Sequence, residues 1–134
     1  ISLSIGGDAS LIAINYDNFM FISPKFYLSG KFGLGFDTNF SLSPNAPDFK
    51  YLTIPHHITG NLGRKKNFFE FGLGGTIFAG NINQHFFYYP IVGYRRQPVE
   101  KGKLNFRVWV YYPFRVKADD LLIVPYGVSL GKSF

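Results

Sequence analysis

The last ten residues of the chain, 125–134, alternate in side-chain size without interruption. The larger residues share one face and the small residues share the other: Tyr126, Val128, Leu130, Lys132 and Phe134 against Pro125, Gly127, Ser129, Gly131 and Ser133. An alternation of period two predicts a β-strand. A soluble barrel points its bulk inward and its polar side chains at water, whereas the small face here offers water almost nothing. An apolar outside with a small, polar inside predicts a barrel whose solvent is lipid.

Length and composition are consistent with a single barrel domain over residues 1–134. Hydrophobic residues make up 46% of the chain and aromatic residues 19%, which is more than a soluble core of this size needs. No run of about 18 apolar residues occurs, so a transmembrane helix is excluded. The absence of cysteine removes disulfides and cysteine-ligated metal sites. No basic region followed by an apolar stretch begins the chain, so we expect any secretion signal to be removed or to lie outside it.

The alternation continues through most of the chain and divides it into eight predicted strands. They cover residues 1–5, 11–16, 26–36, 52–62, 69–77, 86–97, 104–112 and 125–134. Most have roughly the 9–11 residues that cross a bilayer at a tilt, and only the first two look short. We therefore predict an all-β fold: a closed, eight-stranded, antiparallel transmembrane β-barrel with short periplasmic turns and longer extracellular loops.

Charge and connection length predict how this barrel is oriented. An even number of strands puts both chain ends on one side, and short turns belong on the periplasmic side. The connections after the second, fourth and sixth strands are comparatively short, and many cations lie near them, where acidic lipid headgroups would face them: Lys25, Arg64, Lys65, Lys66, Arg96, Lys101, Lys103 and Lys132. The other connections hold most of the acidic residues, which we place at the opposite rim: Asp8, Asp37, Asp48, Asp119 and Asp120. Both termini are therefore expected in the periplasm.

Several motifs resemble a known group of membrane proteins. They are Ile-Pro-His-His-Ile at 54–58, Gly-Arg-Lys-Lys at 63–66, Phe-Glu-Phe-Gly-Leu-Gly at 69–74 and Gly-Tyr-Arg-Arg-Gln-Pro at 93–98. Together with the closing strand at 127–134, they resemble small outer-membrane β-barrels of the Bacteroidota type, a family that mostly lacks an assigned function. Lys132 and Arg96 depart from the family pattern, since an aromatic residue is commoner there. The resemblance implies this fold and a location in the bacterial outer membrane, and almost nothing about activity.

The inward faces hold few charged residues, which the alternation identifies as Lys31, Glu70, Arg95 and Arg107. The same faces carry polar and aromatic residues: Asn15, Thr53, His57, Thr59, Tyr89, Trp109 and Tyr111. Because an eight-stranded barrel is only wide enough for side chains to fill, we expect the three cations to form an ion-pair network around Glu70. Arginine binds a carboxylate bidentately, which favours Arg95 or Arg107 over Lys31 as the main partner. We interpret the network as a structural plug, with a narrow gated conduit or proton path as the alternative.

The three histidines do not form a catalytic or metal-binding set. Barrel enzymes that modify lipids combine a histidine with a serine or aspartate near the outer rim, whereas His56 is predicted mid-strand on the lipid-facing wall. His57 is predicted in the lumen and His85 in an outer loop. We therefore predict no catalytic, metal or cofactor-binding residues. A polar side chain on an apolar wall needs a partner, so we predict a protein contact at His56 and at nearby glycines that allow close approach: Gly30, Gly60 and Gly75.

The predicted function is a structural or accessory subunit without catalytic activity, bound to a larger outer-membrane protein. The other expected partners are outer-membrane lipids and, during insertion, the barrel-assembly machinery, which would read an end signal on the last strand: Tyr126, Val128, Leu130 and Phe134. The alternatives are a lipid-modifying outer-membrane enzyme, a narrow conduit, and a soluble lipid-binding barrel, whose faces would have to be inverted. Nucleic acid is not expected despite a net charge of +6, because the aromatic residues follow strand faces at period two.

Overall fold

The computed structural model describes residues 1–8, 10–38, 50–80, 85–98, 102–114 and 124–132. They form eight antiparallel strands: β1 (Ser2–Gly6), β2 (Ile12–Ser23), β3 (Phe26–Thr38), β4 (Lys50–Arg64), β5 (Asn67–Gly80), β6 (Phe86–Arg96), β7 (Leu104–Tyr111) and β8 (Tyr126–Lys132). Each strand pairs with its neighbours in chain order, and β1 pairs with β8, so the sheet closes. This confirms the predicted all-β, closed, eight-stranded antiparallel barrel. Within these ranges, no helix is long and apolar enough to span a membrane.

The two ends of the barrel differ in their connections. Ile1 and Lys132 exchange backbone hydrogen bonds at one end, which we call the terminal end. Turns at 24–25 and 65–66 join strands there, and residues 97–103 join β6 to β7. The opposite end, which we call the loop end, holds the connections 7–11, 39–49, 81–85 and 112–125.

The largest difference from the predicted strand bounds is in β2. The sequence analysis ends the second strand at residue 16, but β2 continues to Ser23. The prediction is wrong because Asp17 and Asn18 are adjacent polar residues, which resemble a loop in sequence. In the structure they continue the alternation, with Asp17 in the lumen beside Arg95 and Asn18 exposed on the outer face opposite Gly30. β1 has five residues and is short, as predicted.

The barrel is apolar outside and polar inside. On β4, Leu52 and Ile58 are 57% and 73% exposed, whereas Thr53, His57 and Thr59 are at most 2% exposed. The same arrangement, with apolar side chains outside and polar side chains inside, follows from the period of two on every strand, because residues i and i+2 share one face. A soluble barrel of this size would bury the first group and expose the second.

Aromatic residues close the lumen above and below a polar middle layer. A cluster toward the loop end consists of Tyr51, Phe78, Phe87, Tyr89, Ile91, Trp109 and Tyr111. Toward the terminal end, the rings of Phe19 and Phe68 lie 5.6 and 4.8 Å from that of Tyr27.

Candidate functional site

Glu70, on β5, is fully buried and accepts hydrogen bonds on both carboxylate oxygens. Nε of Arg107 donates to Oε2 over 2.6 Å, and Nη2 of Arg95 donates to Oε1 over 3.3 Å. The hydroxyl of Thr59, on β4, also donates to Oε1, over 2.7 Å. The structure thus brings together three of the four residues of the predicted network, with each arginine on its own oxygen rather than one of them bound bidentately.

A second carboxylate, Asp17 on β2, completes this side of the network. Its Oδ1 lies 3.4 Å from Nη2 of Arg95, and the hydroxyl of Ser2 donates to its Oδ2 over 3.1 Å. Sequence reasoning missed Asp17 because the predicted second strand ended before it. The signal that could have identified it is its spacing of two residues from Asn15, which is predicted and found to face the lumen.

Asp8 is fully buried at the other end of the network, although it belongs to the turn between β1 and β2. Its Oδ2 pairs with Nζ of Lys31 over 2.5 Å, and its Oδ1 lies 2.8 Å from Nε2 of His57 and 3.1 Å from the hydroxyl of Tyr89. Two predictions are therefore wrong. Asp8 does not lie at the rim, and Lys31 pairs with Asp8 rather than with Glu70.

The turn folds into the lumen because three consecutive residues adopt left-handed backbone. Gly6, Gly7 and Asp8 have φ angles of 64°, 74° and 60°. Glycine adopts this conformation freely, and aspartate tolerates it better than most residues. A Cβ at Gly7 would come within 2.9 Å of the ring of Trp109, so glycine also allows the turn to lie against that ring. The hydroxyl of Thr76 donates to the carbonyl of Asp8 over 2.9 Å and anchors the turn from β5.

His57 joins the two halves of the network. Nη2 of Arg107 lies 3.0 Å from its Nδ1, and Nε2 lies next to Asp8. Because a guanidinium only donates, Nδ1 must accept, which assigns the ring proton to Nε2 and makes His57 a neutral bridge. A continuous chain of polar contacts therefore runs along the lumen: Lys31, Asp8, His57, Arg107, Glu70, Arg95 and Asp17.

The charges within this lumenal network balance. It contains three carboxylates and three cations: Asp8, Asp17 and Glu70 with Lys31, Arg95 and Arg107. The ammonium of Lys31 and the ring N–H of His57 both lie against the carboxylate of Asp8, and both contacts favour its ionised form. Removing one member of a pair would leave its partner buried without a counter-charge, which is costly.

Some rim and end-signal residues lie elsewhere than predicted or outside the described ranges. Asp37, predicted at the rim, is buried on β3 and accepts a hydrogen bond of 2.9 Å from the hydroxyl of Tyr51. The remaining rim and end-signal residues outside the described ranges are Asp48, Lys101, Asp119, Asp120 and Phe134. The other end-signal residues are exposed on the outer face of β8: Tyr126, Val128 and Leu130.

His56 lies half-buried on the outer wall. Its Nδ1 is 3.3 Å from the carbonyl oxygen of Ile54, and its ring stacks on Phe86 with centroids 6.0 Å apart. It borders an apolar groove of about 490 Å³, which Gly60 and Gly75 also line. His85, the third histidine, is exposed just before β6.

The predicted contact glycines differ in the space above them. Gly60 and Gly75 are buried, and a Cβ there would lie 3.0 Å from the ring of Phe71 and 2.8 Å from that of Phe86, so the predicted close approach at these two glycines is wrong. Gly30 is exposed, and a Cβ there would have no atom within 4 Å. Gly30 lies in a second depression of the outer wall, of about 250 Å³. Ile58 lines both this depression and the groove beside His56, so the two are neighbours on one patch of wall.

The network meets open space at the terminal end. A cavity of about 490 Å³ lies there, and its lining includes Asp17, whose side chain is 12% exposed. Glu70 and Asp8 are fully buried further along the lumen. The arrangement can therefore fill the lumen, with its central carboxylates buried from solvent.

The described part of the site has no metal-binding group, and the chain has no recognisable relative among known proteins. The described ranges contain no group of three or more His, Cys, Asp or Glu side chains that could hold a metal ion. No protein-family model matches the chain, and neither a curated protein nor a solved structure shows significant similarity to it.

Proposed function

We propose that this chain is an integral barrel of a bacterial outer membrane, without catalytic activity, that serves as an accessory subunit of a larger outer-membrane protein assembly. The observation that carries the proposal is the inverted barrel, with large apolar side chains outside and a paired charge network inside. In water, such a wall would be an aggregation site. Lipid solvates it instead, and the closed sheet pairs the backbone groups that lipid cannot satisfy.

The middle of the strands shows the inversion most clearly. Leu34, Ile58 and Leu73 lie near the centres of β3, β4 and β5, and they are 65%, 73% and 65% exposed. Side chains at this height would contact acyl chains in a membrane. Next to Ile58, the side chain of His57 points into the barrel and is paired with the buried Asp8. The wall therefore supports a membrane location, and the filled lumen supports a role that depends on the outside of the barrel.

The patch around Ile58 supports a protein partner on that outside. In lipid, helices and barrels associate through close packing and polar contacts, because lipid tails are as apolar as leucine. The groove and the depression that share Ile58 offer concave surface, and His56 offers a ring nitrogen at the edge. These features favour a protein partner over an undisturbed lipid boundary.

Native electrophoresis of membranes solubilised in mild detergent tests this role. We expect the chain to migrate in a complex well above its own 15.2 kDa plus a micelle. Ile58→Trp fills both concavities and should shift the chain to the free form. Leu34→Trp is the matched control, since it enlarges an equally exposed wall residue that lines neither concavity, and it should leave the complex intact. Migration of the unmodified chain only as a free barrel would contradict the accessory role.

A further inference from the structure

The exposed charges of the described residues are all positive. Every described carboxylate faces the lumen: Asp8, Asp17, Asp37 and Glu70. The exposed lysines and arginines of the same ranges are Lys25, Lys50, Arg64, Lys65, Lys66, Arg96, Lys103 and Lys132. Turning the acidic side chains inward therefore leaves this part of the surface with a strong excess of positive charge.

All of these exposed cations except Lys50 lie at the terminal end, and they are spread around its circumference. In order around the barrel they are Lys25 between β2 and β3, Arg64, Lys65 and Lys66 between β4 and β5, Arg96 and Lys103 between β6 and β7, and Lys132 at the end of β8. We call this set the cationic ring. It lies across the barrel axis rather than on one side of the molecule.

The cationic ring adjoins the apolar wall. Leu62, Tyr94 and Leu130 are 55%, 45% and 58% exposed, and each precedes a ring residue by two positions. Because residues i and i+2 share a strand face, Arg64, Arg96 and Lys132 continue the line of these outward side chains. Each cation therefore lies on the outer face, just beyond the last apolar residue of its strand.

We infer that the cationic ring binds the phosphate headgroups of phospholipids in the leaflet at the terminal end. This inference rests on the proposed membrane location. In a membrane, the headgroup layer surrounds the barrel at the edge of its apolar wall, which is where the cationic ring lies. A nucleic acid or an acidic protein would instead require the cations to be gathered on one side. Lysine and arginine suit this position, since their stems lie along apolar surface while their charged ends reach the headgroups.

Native mass spectrometry of the detergent-purified barrel with added lipid tests the inference. The probes are phosphatidylglycerol and phosphatidylcholine with the same acyl chains, and lipid A. At low salt we expect phosphatidylglycerol to bind more tightly, by about fivefold for each ring cation that reaches a headgroup, and the preference should fall as salt screens the charges. The combined variant Lys25→Gln, Arg64→Gln, Arg96→Gln and Lys132→Gln keeps the other three ring cations and should lose most of the preference. Lys50→Gln, at the loop end, is the control and should keep the full preference.

Three outcomes would overturn the inference: equal binding of both lipids by the unmodified barrel, loss of the preference in Lys50→Gln, or binding of lipid A as tight as that of phosphatidylglycerol. The last outcome would assign the ring to lipopolysaccharide. Heat-modified gel mobility checks that the combined variant is folded. If it is not, the double variant Arg96→Gln and Lys132→Gln should lose part of the preference. Failure of the membrane location is distinguishable, since the barrel would then stay folded in solution without detergent.

Discussion

Glu70→Ala is expected to lower the free energy of unfolding of the barrel by about 3–5 kcal/mol. Arg95 and Arg107 lie directly opposite each other on β6 and β7, and Glu70 holds one guanidinium on each oxygen. Removing the carboxylate leaves two buried guanidinium groups next to each other without the negative charge that they share. This is more costly than losing a neutral hydrogen bond. The temperature at which the folded barrel loses its faster gel mobility on heating measures the effect.

Two further variants separate charge from ordinary hydrogen bonding at this site. Glu70→Gln keeps an acceptor for the guanidinium groups and should be less destabilising than Glu70→Ala. Ser29→Ala removes a neutral lumenal hydroxyl that lies 2.7 Å from that of Thr59, and it should cost about 1 kcal/mol. A Glu70→Ala transition temperature equal to that of the unmodified barrel would show that the ion pairs do not stabilise it.

Asp8→Ala is expected to have a similar effect, about 3–5 kcal/mol, by a different route. It leaves the ammonium of Lys31 buried without its carboxylate and removes the acceptor shared by His57 and Tyr89. It also frees the turn that lies against Trp109, which is the single tryptophan of the chain. We therefore expect a lower heat-modified transition temperature and a red shift of tryptophan emission as water reaches the ring.

A double variant gives the decisive comparison for Asp8. Lys31→Met removes the ammonium and keeps an unbranched side chain, so adding it to Asp8→Ala removes the uncompensated buried charge. The double variant should recover much of the stability that Asp8→Ala loses, because replacing both partners of a buried pair costs far less than removing one. Losses that simply add in the double variant would mean that the two residues do not form a coupled pair.

The wall of the barrel could be predicted from sequence because a period of two assigns both the strand and its faces. The alternation predicts a strand over residues 52–62, and in the structure β4 covers these residues and extends to Lys50 and Arg64. The inward placement of Glu70, Arg95 and Arg107 follows from the same rule. Strong alternation over ten or more residues leaves no second register that keeps the apolar side outside.

The positions of two lumenal carboxylates, Asp17 and Asp8, could not be predicted from the alternation of side chains. Asp17 sits beside another polar residue, so local composition resembles a loop, and only the barrel context makes it a lumenal partner of Arg95. Asp8 follows two glycines, and a run of this kind predicts a turn without saying whether the turn folds outward or inward. Its direction depends on contacts with Lys31 and His57, which are 23 and 49 residues away. No local pattern carries that information.

The central claim is that the outer wall of this barrel contacts lipid, and a single spin label tests it. The chain has no cysteine, so Leu73→Cys provides one unique labelling site in the middle of β5. In phospholipid vesicles, we expect frequent collisions of the nitroxide with dissolved oxygen and few with a water-soluble nickel complex. Lys25→Cys, in the turn between β2 and β3, is the control and should give the opposite balance. Nickel collisions at position 73 as frequent as those at position 25 would place the wall in water and contradict the account.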